Sequence, residues 1–152
     1  WVISGETVAG RSNDAWELFR KISPMYLKDQ QLHKVEPYVN CQMVAGKDAA
    51  KPGEGKNSWL TGTAAWMWLT VSQYLLGIKP SYKGIIVDPC LPADVKGYKV
   101  TRKFRDATYN IEIVNNGSQK GIKELYINGT KAEGNLVPMA KAGETVEVKA
   151  VM

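Results

Sequence analysis

Apolar positions along this chain follow two rhythms. From Trp59 to Leu76 they come at nearly every position, and the stretch from Lys56 to Ile78 predicts a helix that is apolar on almost all sides. Gly77 is its expected C′ residue, and Pro80 closes it from beyond. Two shorter helices are expected before it. Trp1 to Gly10 reads as the tail of a helix with Gly10 as its stop. Asn13 or Ser12 caps a second helix over Asp14 to Ile22, whose Trp16, Phe19 and Ile22 recur at spacings of three and are expected to face a core. Residues Met25 to Glu36 read as a loop, Tyr38 to Ala45 as a short extended segment, and Lys47 to Gly55 as a polar loop.

After Gly77 the rhythm changes to period two. Ile85 to Val87, Tyr98 to Phe104, Thr108 to Val114, Glu124 to Asn128 and Glu144 to Val151 are expected strands. Asp106-Ala107 and Asn128-Gly129 are expected hairpin turns. The pattern predicts an α+β chain: helices over 1–80, then an antiparallel, sandwich-like β-domain over 81–152, with the change falling between Pro80 and Asp94.

Composition narrows the class. The 152 residues are 44% hydrophobic and 23% charged, as in a soluble globular protein. The net charge of +5 is scattered, with no basic run of the kind that grips nucleic acid. A membrane span is rejected, because the central helix carries Thr61, Thr63, Thr70, Ser72 and Gln73 and the mean hydropathy is −0.28. Cys41 and Cys90 have no metal-ligand spacing and are expected to be free thiols of a cytoplasmic protein; no metal or cofactor is expected. His33 lies in a polar stretch and is expected to be solvated. Glu36, Asp48 and Glu54 could serve as general acids, but nothing in the sequence singles one out. Asn116-Gly117-Ser118 and Asn128-Gly129-Thr130 are read as turns, not as glycan acceptors.

One chemical feature rises from the residues alone. Asn57, Ser58, Thr61, Gly62 and Thr63 crowd the expected first turn of the apolar helix. Free N–H groups, the positive end of the helix dipole and a hydroxyl together suit an anion, and Gly62 allows close approach. An ordinary N-cap ahead of a core helix explains the same residues.

The strings EPYVNCQMVAGKD, GEGKNSWLTGTAAWMW, SQYLLGIKP and GIIVDPCLPADVKGYKVTRKFRDATYNIEI resemble the C-terminal part of the family 94 glycoside phosphorylases, over essentially the whole chain. The resemblance implies the last helices of an (α/α)6 barrel followed by a β-domain. It implies an inverting phosphorolysis of a β-linked oligosaccharide, with inorganic phosphate as the second substrate. Phosphate is itself a nucleophile, so one general acid suffices where an inverting hydrolase needs an acid and a base.

Residue by residue, the resemblance makes Thr61 and Gly62 phosphate ligands, through a hydroxyl and a backbone N–H, and Gln42 a ligand of the transferred sugar. It puts the general-acid aspartate, a phosphate-binding histidine and an arginine upstream of Trp1, so this stretch alone is expected to be inactive. A homodimer is expected for the full-length enzyme, and the charge and hydropathy leave no membrane or nucleic-acid partner expected. Two other readings remain: a non-catalytic carbohydrate-binding or structural module built on the β half, and the phosphorylase-like domain of a β-glucan synthase.

Overall fold

The computed structural model describes residues 1–36 and 40–152, and of Thr61 and Thr63 the backbone alone. Two compact units form. Residues 1–16 and 70–152 make the larger one, and residues 17–69 the smaller.

The larger unit is organised by two sheets. β3 (Ile78–Ser81), β4 (Gly84–Val87) and β9 (Leu136–Pro138) form one, in that order. The other has the order β5 (Gly97–Phe104), β6 (Ala107–Val114), β10 (Thr145–Val151), β7 (Glu124–Ile127), β8 (Thr130–Ala132). Alternation dictates their faces. On β6, Tyr109, Ile111 and Ile113 are buried; on β10, Val146, Val148 and Ala150 are. These side chains meet Ile78, Ile85, Val87 and Val137 of the smaller sheet in one core, the sandwich-like arrangement expected.

The expectation of a purely antiparallel domain needs correction. β10 pairs with β7 antiparallel but with β6 parallel, Val148 opposite Ile111. Residues 115–144 separate the two parallel strands, ample for the crossover that such a pair requires. A period-two pattern marks which face is buried, and both strand directions satisfy it.

Turn chemistry explains the hairpins. Asn128 and Gly129 both take positive φ, 49° and 80°, between β7 and β8. The β5–β6 turn is made by Arg105 and Asp106 (φ 48° and 60°), one residue earlier than expected, so Ala107 already belongs to β6. Asn115 accepts hydrogen bonds at Oδ1 from the N–H groups of Gly117 and Ser118, a turn as anticipated. Pro80 lies inside β3 and does not merely stop a helix; β3 is an edge strand, where a missing N–H is tolerated.

The helical segments also differ in detail. α1 covers Val2–Val8, and Gly10 has φ 76°, as its stop role requires. α2 covers Ser12–Ile22, so Ser12 lies within the helix; its hydroxyl is buried, and Ile22 is exposed. In the larger unit, the Trp16 indole donates to the Cys90 carbonyl at 2.7 Å. The expected loop after α2 contains a 3-10 turn, Pro24–Tyr26, and a short helix α3, Gln30–His33, capped by Asp29 through the Leu32 N–H. Of the expected extended segment, residues 38 and 39 lie outside the described residues; Met43–Val44 forms β1, paired with β2 (Gly55–Lys56).

The long apolar helix is shorter and less buried than its pattern suggests. α4 runs Thr61–Leu69 and passes into a π-helical turn, Thr70–Leu75, before Gly77 at φ 69°. Thr70 and Leu75 are buried, but Trp66 and Trp68 are 43% and 57% exposed. Among the described residues, no helix is long and apolar enough to cross a membrane.

Candidate functional site

The residues singled out in sequence fall in the smaller unit. The β1–β2 ladder puts Met43 opposite Lys56 and so sets Gln42 beside Asn57. The Gln42 N–H donates to the Asn57 carbonyl at 3.2 Å, and the Asn57 amide donates to Gln42 Oε1 at 3.1 Å. Gln42 is exposed, and Asn57 is its side-chain partner. The bond also fixes the Gln42 amide, leaving its NH2 group aimed away from Asn57.

Between Asn57 and α4 the backbone is strained. Asn57 and Trp59 sit at φ 57° and 64°. Asparagine tolerates that region; a bulky tryptophan rarely enters it. Such outliers collect where a segment is held for function. The Trp59 indole donates to Glu36 Oε1 at 2.9 Å, which ties the strained turn to the chain following α3. This bond holds the Glu36 carboxyl below its usual range. Leu60 then precedes α4 and offers no polar cap, so Asn57 and Ser58 are not the immediate caps they looked like in sequence.

Gly62 follows in the first turn of α4, exposed, with open space where a Cβ would stand. Among the described residues, no atom outside the helix's own backbone stands within 4 Å of that position. The Thr61 side chain lies outside what the structure describes.

The candidate acids fare poorly. Glu54 is paired with Lys56 at 3.3 Å and Lys34 at 3.4 Å, and both lysines hold its carboxyl low, Lys56 most. A general acid at neutral pH needs the opposite shift. The Glu36 carboxyl is lowered as well, in the same unfavourable direction.

His33 departs from expectation. It is buried, not solvated: Nδ1 lies 3.1 Å from the Gly53 carbonyl, and Nε2 lies 3.8 Å from Cys41 Sγ. An imidazole N–H donated to that carbonyl braces the 46–55 loop against α3. Cys41 and Cys90 are both free, as expected; burial pushes the Cys90 thiol up. Among the described residues, no cluster of His, Cys, Asp or Glu could hold a metal ion. Sequence reasoning missed Asn57 as a partner, the strain at Trp59 and the burial of His33. The only available signal was the polar residue Asn57 placed opposite Gln42 across two loop-bounded segments.

Comparison with known proteins gives this geometry a context. The chain is 35% identical over 147 residues to an N,N'-diacetylchitobiose phosphorylase of Vibrio proteolyticus, covering 95% of the chain and 18% of that relative. It is 38% identical over 150 residues to a solabiose phosphorylase of Paenibacillus borealis, covering 96% of the chain and 20% of the relative. A cyclic β-(1,2)-glucan synthase of Rhizobium meliloti is 28% identical over 134 residues, 86% of the chain and 5% of that protein. The chain thus spans about a fifth of the length of the phosphorylases it resembles. The glycosyl hydrolase 94 superfamily catalytic domain matches residues 1–77, the half that holds Gln42, the strained turn and the start of α4, and the chain belongs to that family.

Proposed function

We propose that this chain is part of an inverting glycoside phosphorylase that cleaves a β-linked disaccharide or oligosaccharide with inorganic phosphate. The helical segments before β3 are closing helices of an (α/α)6 barrel, and the sheets that follow form a β-domain. One observation carries the reading: in a family-94 catalytic domain, α4 opens on Thr61-Gly62 behind a strained turn and the apolar Leu60. Phosphate takes the first-turn N–H groups and the Thr61 hydroxyl, where the helix dipole and fixed donors stabilise negative charge. Gln42, oriented by Asn57, hydrogen-bonds the transferred sugar. By resemblance to the family, the proton for the leaving oxygen comes from an aspartate outside these 152 residues. The enzyme is cytoplasmic and homodimeric in this reading, and needs no cofactor.

In the complete enzyme, Thr61→Ala removes a hydrogen bond to a charged group, worth roughly 1.5–3 kcal/mol. Phosphate saturation should weaken about ten- to hundredfold, with the melting temperature nearly unchanged. Lower stability with normal phosphate dependence would identify Thr61 as a cap only. The match to the β-glucan synthase favours a second reading, a phosphorylase-like domain in a larger synthase. Sugar 1-phosphate formation from oligosaccharide and phosphate separates the two.

A further inference from the structure

We propose that the outer face of the five-stranded sheet is a second carbohydrate site, which binds an extended, neutral oligosaccharide of the β-1,4-glucan type. It lies in the larger unit and uses none of Gln42, Thr61 or Gly62, so it stands independently of the phosphorylase reading. A cavity of about 770 Å³ opens on this face, within the range that small ligands occupy.

Strand register arranges the face in two parallel rows. Thr101, Asn110 and Glu147 form the first, in register across β5, β6 and β10. Lys99, Glu112, Lys149 and Tyr126 form the second, from β5 to β7. Adjacent strands are about 4.8 Å apart, so the second row crosses roughly 14 Å in a straight line. That track suits an extended glycan and not a coiled one.

The first row is locked before any ligand arrives. The Thr101 hydroxyl donates to Asn110 Oδ1 at 3.0 Å, and the Asn110 amide donates to Glu147 Oε1 at 2.7 Å. The Glu147 backbone N–H donates to Asn128 Oδ1 at 2.9 Å, which anchors that strand position beside the β7–β8 turn. The second Asn110 N–H and the second Glu147 oxygen remain to meet a ligand, a donor and an acceptor side by side. Sugar hydroxyls donate and accept at once and match such an array. Fixed side chains also lose little freedom on binding.

Charge decides the ligand class. Lys99 pairs with Glu112 at 3.1 Å, and Glu124 takes both Lys131 at 2.8 Å and the Tyr126 hydroxyl at 3.0 Å. The cavity is lined by two lysines and three glutamates. It offers no surplus positive charge to an anion. Tyr126 is half-buried and supplies the flat apolar surface on which a sugar ring stacks once the Lys131 side chain, now 5.9 Å from its centroid, swings aside.

The test is titration of this chain with cellotetraose, read by calorimetry and by amide chemical shifts. Saturable binding is expected, with shifts at Asn110, Tyr126 and Glu147 and no loss at high salt. Asn110→Ala and Tyr126→Ala should each weaken it about tenfold while leaving the spectrum folded, and Gln42→Ala and Gly62→Ala should not weaken it. Absence of saturable binding, binding untouched by Asn110→Ala and Tyr126→Ala, binding lost on adding salt, or equal binding of the coiled α-1,4 tetramer maltotetraose would overturn the proposal. A defect in phosphate kinetics without a change here would speak to the phosphorylase reading alone.

Discussion

β6 and α4 are both rich in large apolar side chains, yet they end in opposite states. Tyr109 on β6 is 0% exposed, and its hydroxyl accepts from the Ala140 N–H at 2.9 Å. Trp68 on α4 is more than half exposed. The strand finds its cover inside the same unit, from β4, β9 and β10. The helix does not find full cover among the described residues. Apolarity states what a segment prefers; burial also needs a surface to be present. In the proposed enzyme that surface is the rest of the barrel.

Truncation measures the contrast most directly. Tyr109→Ala should destabilise this chain by about 3–5 kcal/mol, whereas Trp68→Ala should cost under about 1 kcal/mol. Denaturant melts of both variants check this, and equal losses would mean that α4 is as deeply packed as β6. Backbone sites repeat the contrast at smaller scale. Gly84 has φ 144°, and a Cβ there would stand 2.0 Å from the Val137 carbonyl oxygen, so Gly84→Ala should unzip the β4–β9 edge at a cost of about 2–3 kcal/mol. Gly62 meets nothing, and Gly62→Ala should leave the fold unchanged or steadier by about 0.5 kcal/mol. The same substitution should impair phosphate use in the complete enzyme. If phosphate saturation stays normal, Gly62 is no ligand.

The smallest effect expected is electrostatic. Lys56 and Lys34 lower the Glu54 pKa. A depressed folded-state pKa stabilises above the unfolded value, and the contribution disappears as pH falls through the folded value. Acid titration should therefore loosen the 46–56 region in the carboxylate range, and Glu54→Gln should flatten that response. Amide exchange at Ala45, whose N–H donates to the Glu54 carbonyl, reads it.

The comparison also explains what could be read from sequence. Strand faces and the Asn128-Gly129 turn were legible because period two and positive-φ residues are local signals. The parallel partnering of β10 was not, because direction is set by a 30-residue connection (115–144) and leaves no mark on alternation. Thr61-Gly62 and Gln42 were singled out through resemblance to a family, and their roles are proposals. The Asn57 bond to Gln42 and the strained Trp59 depend on two loops meeting, which no single window of residues encodes. His33 was misjudged because its polar neighbours in sequence gave no sign of the Gly53 carbonyl and Cys41 thiol that meet it in space.

The placement of β10 has a consequence in time. It lies between β6 and β7, so neither of those strands has its full set of hydrogen bonds until residues 145–151 arrive. During synthesis, β5–β6 and β7–β8 can close as hairpins within a few residues of their turns. Each then presents a bare inner edge, and two such edges are apt to pair wrongly with each other or with another chain. The final strand acts as the keystone: it converts two local hairpins into one sheet, and it does so last.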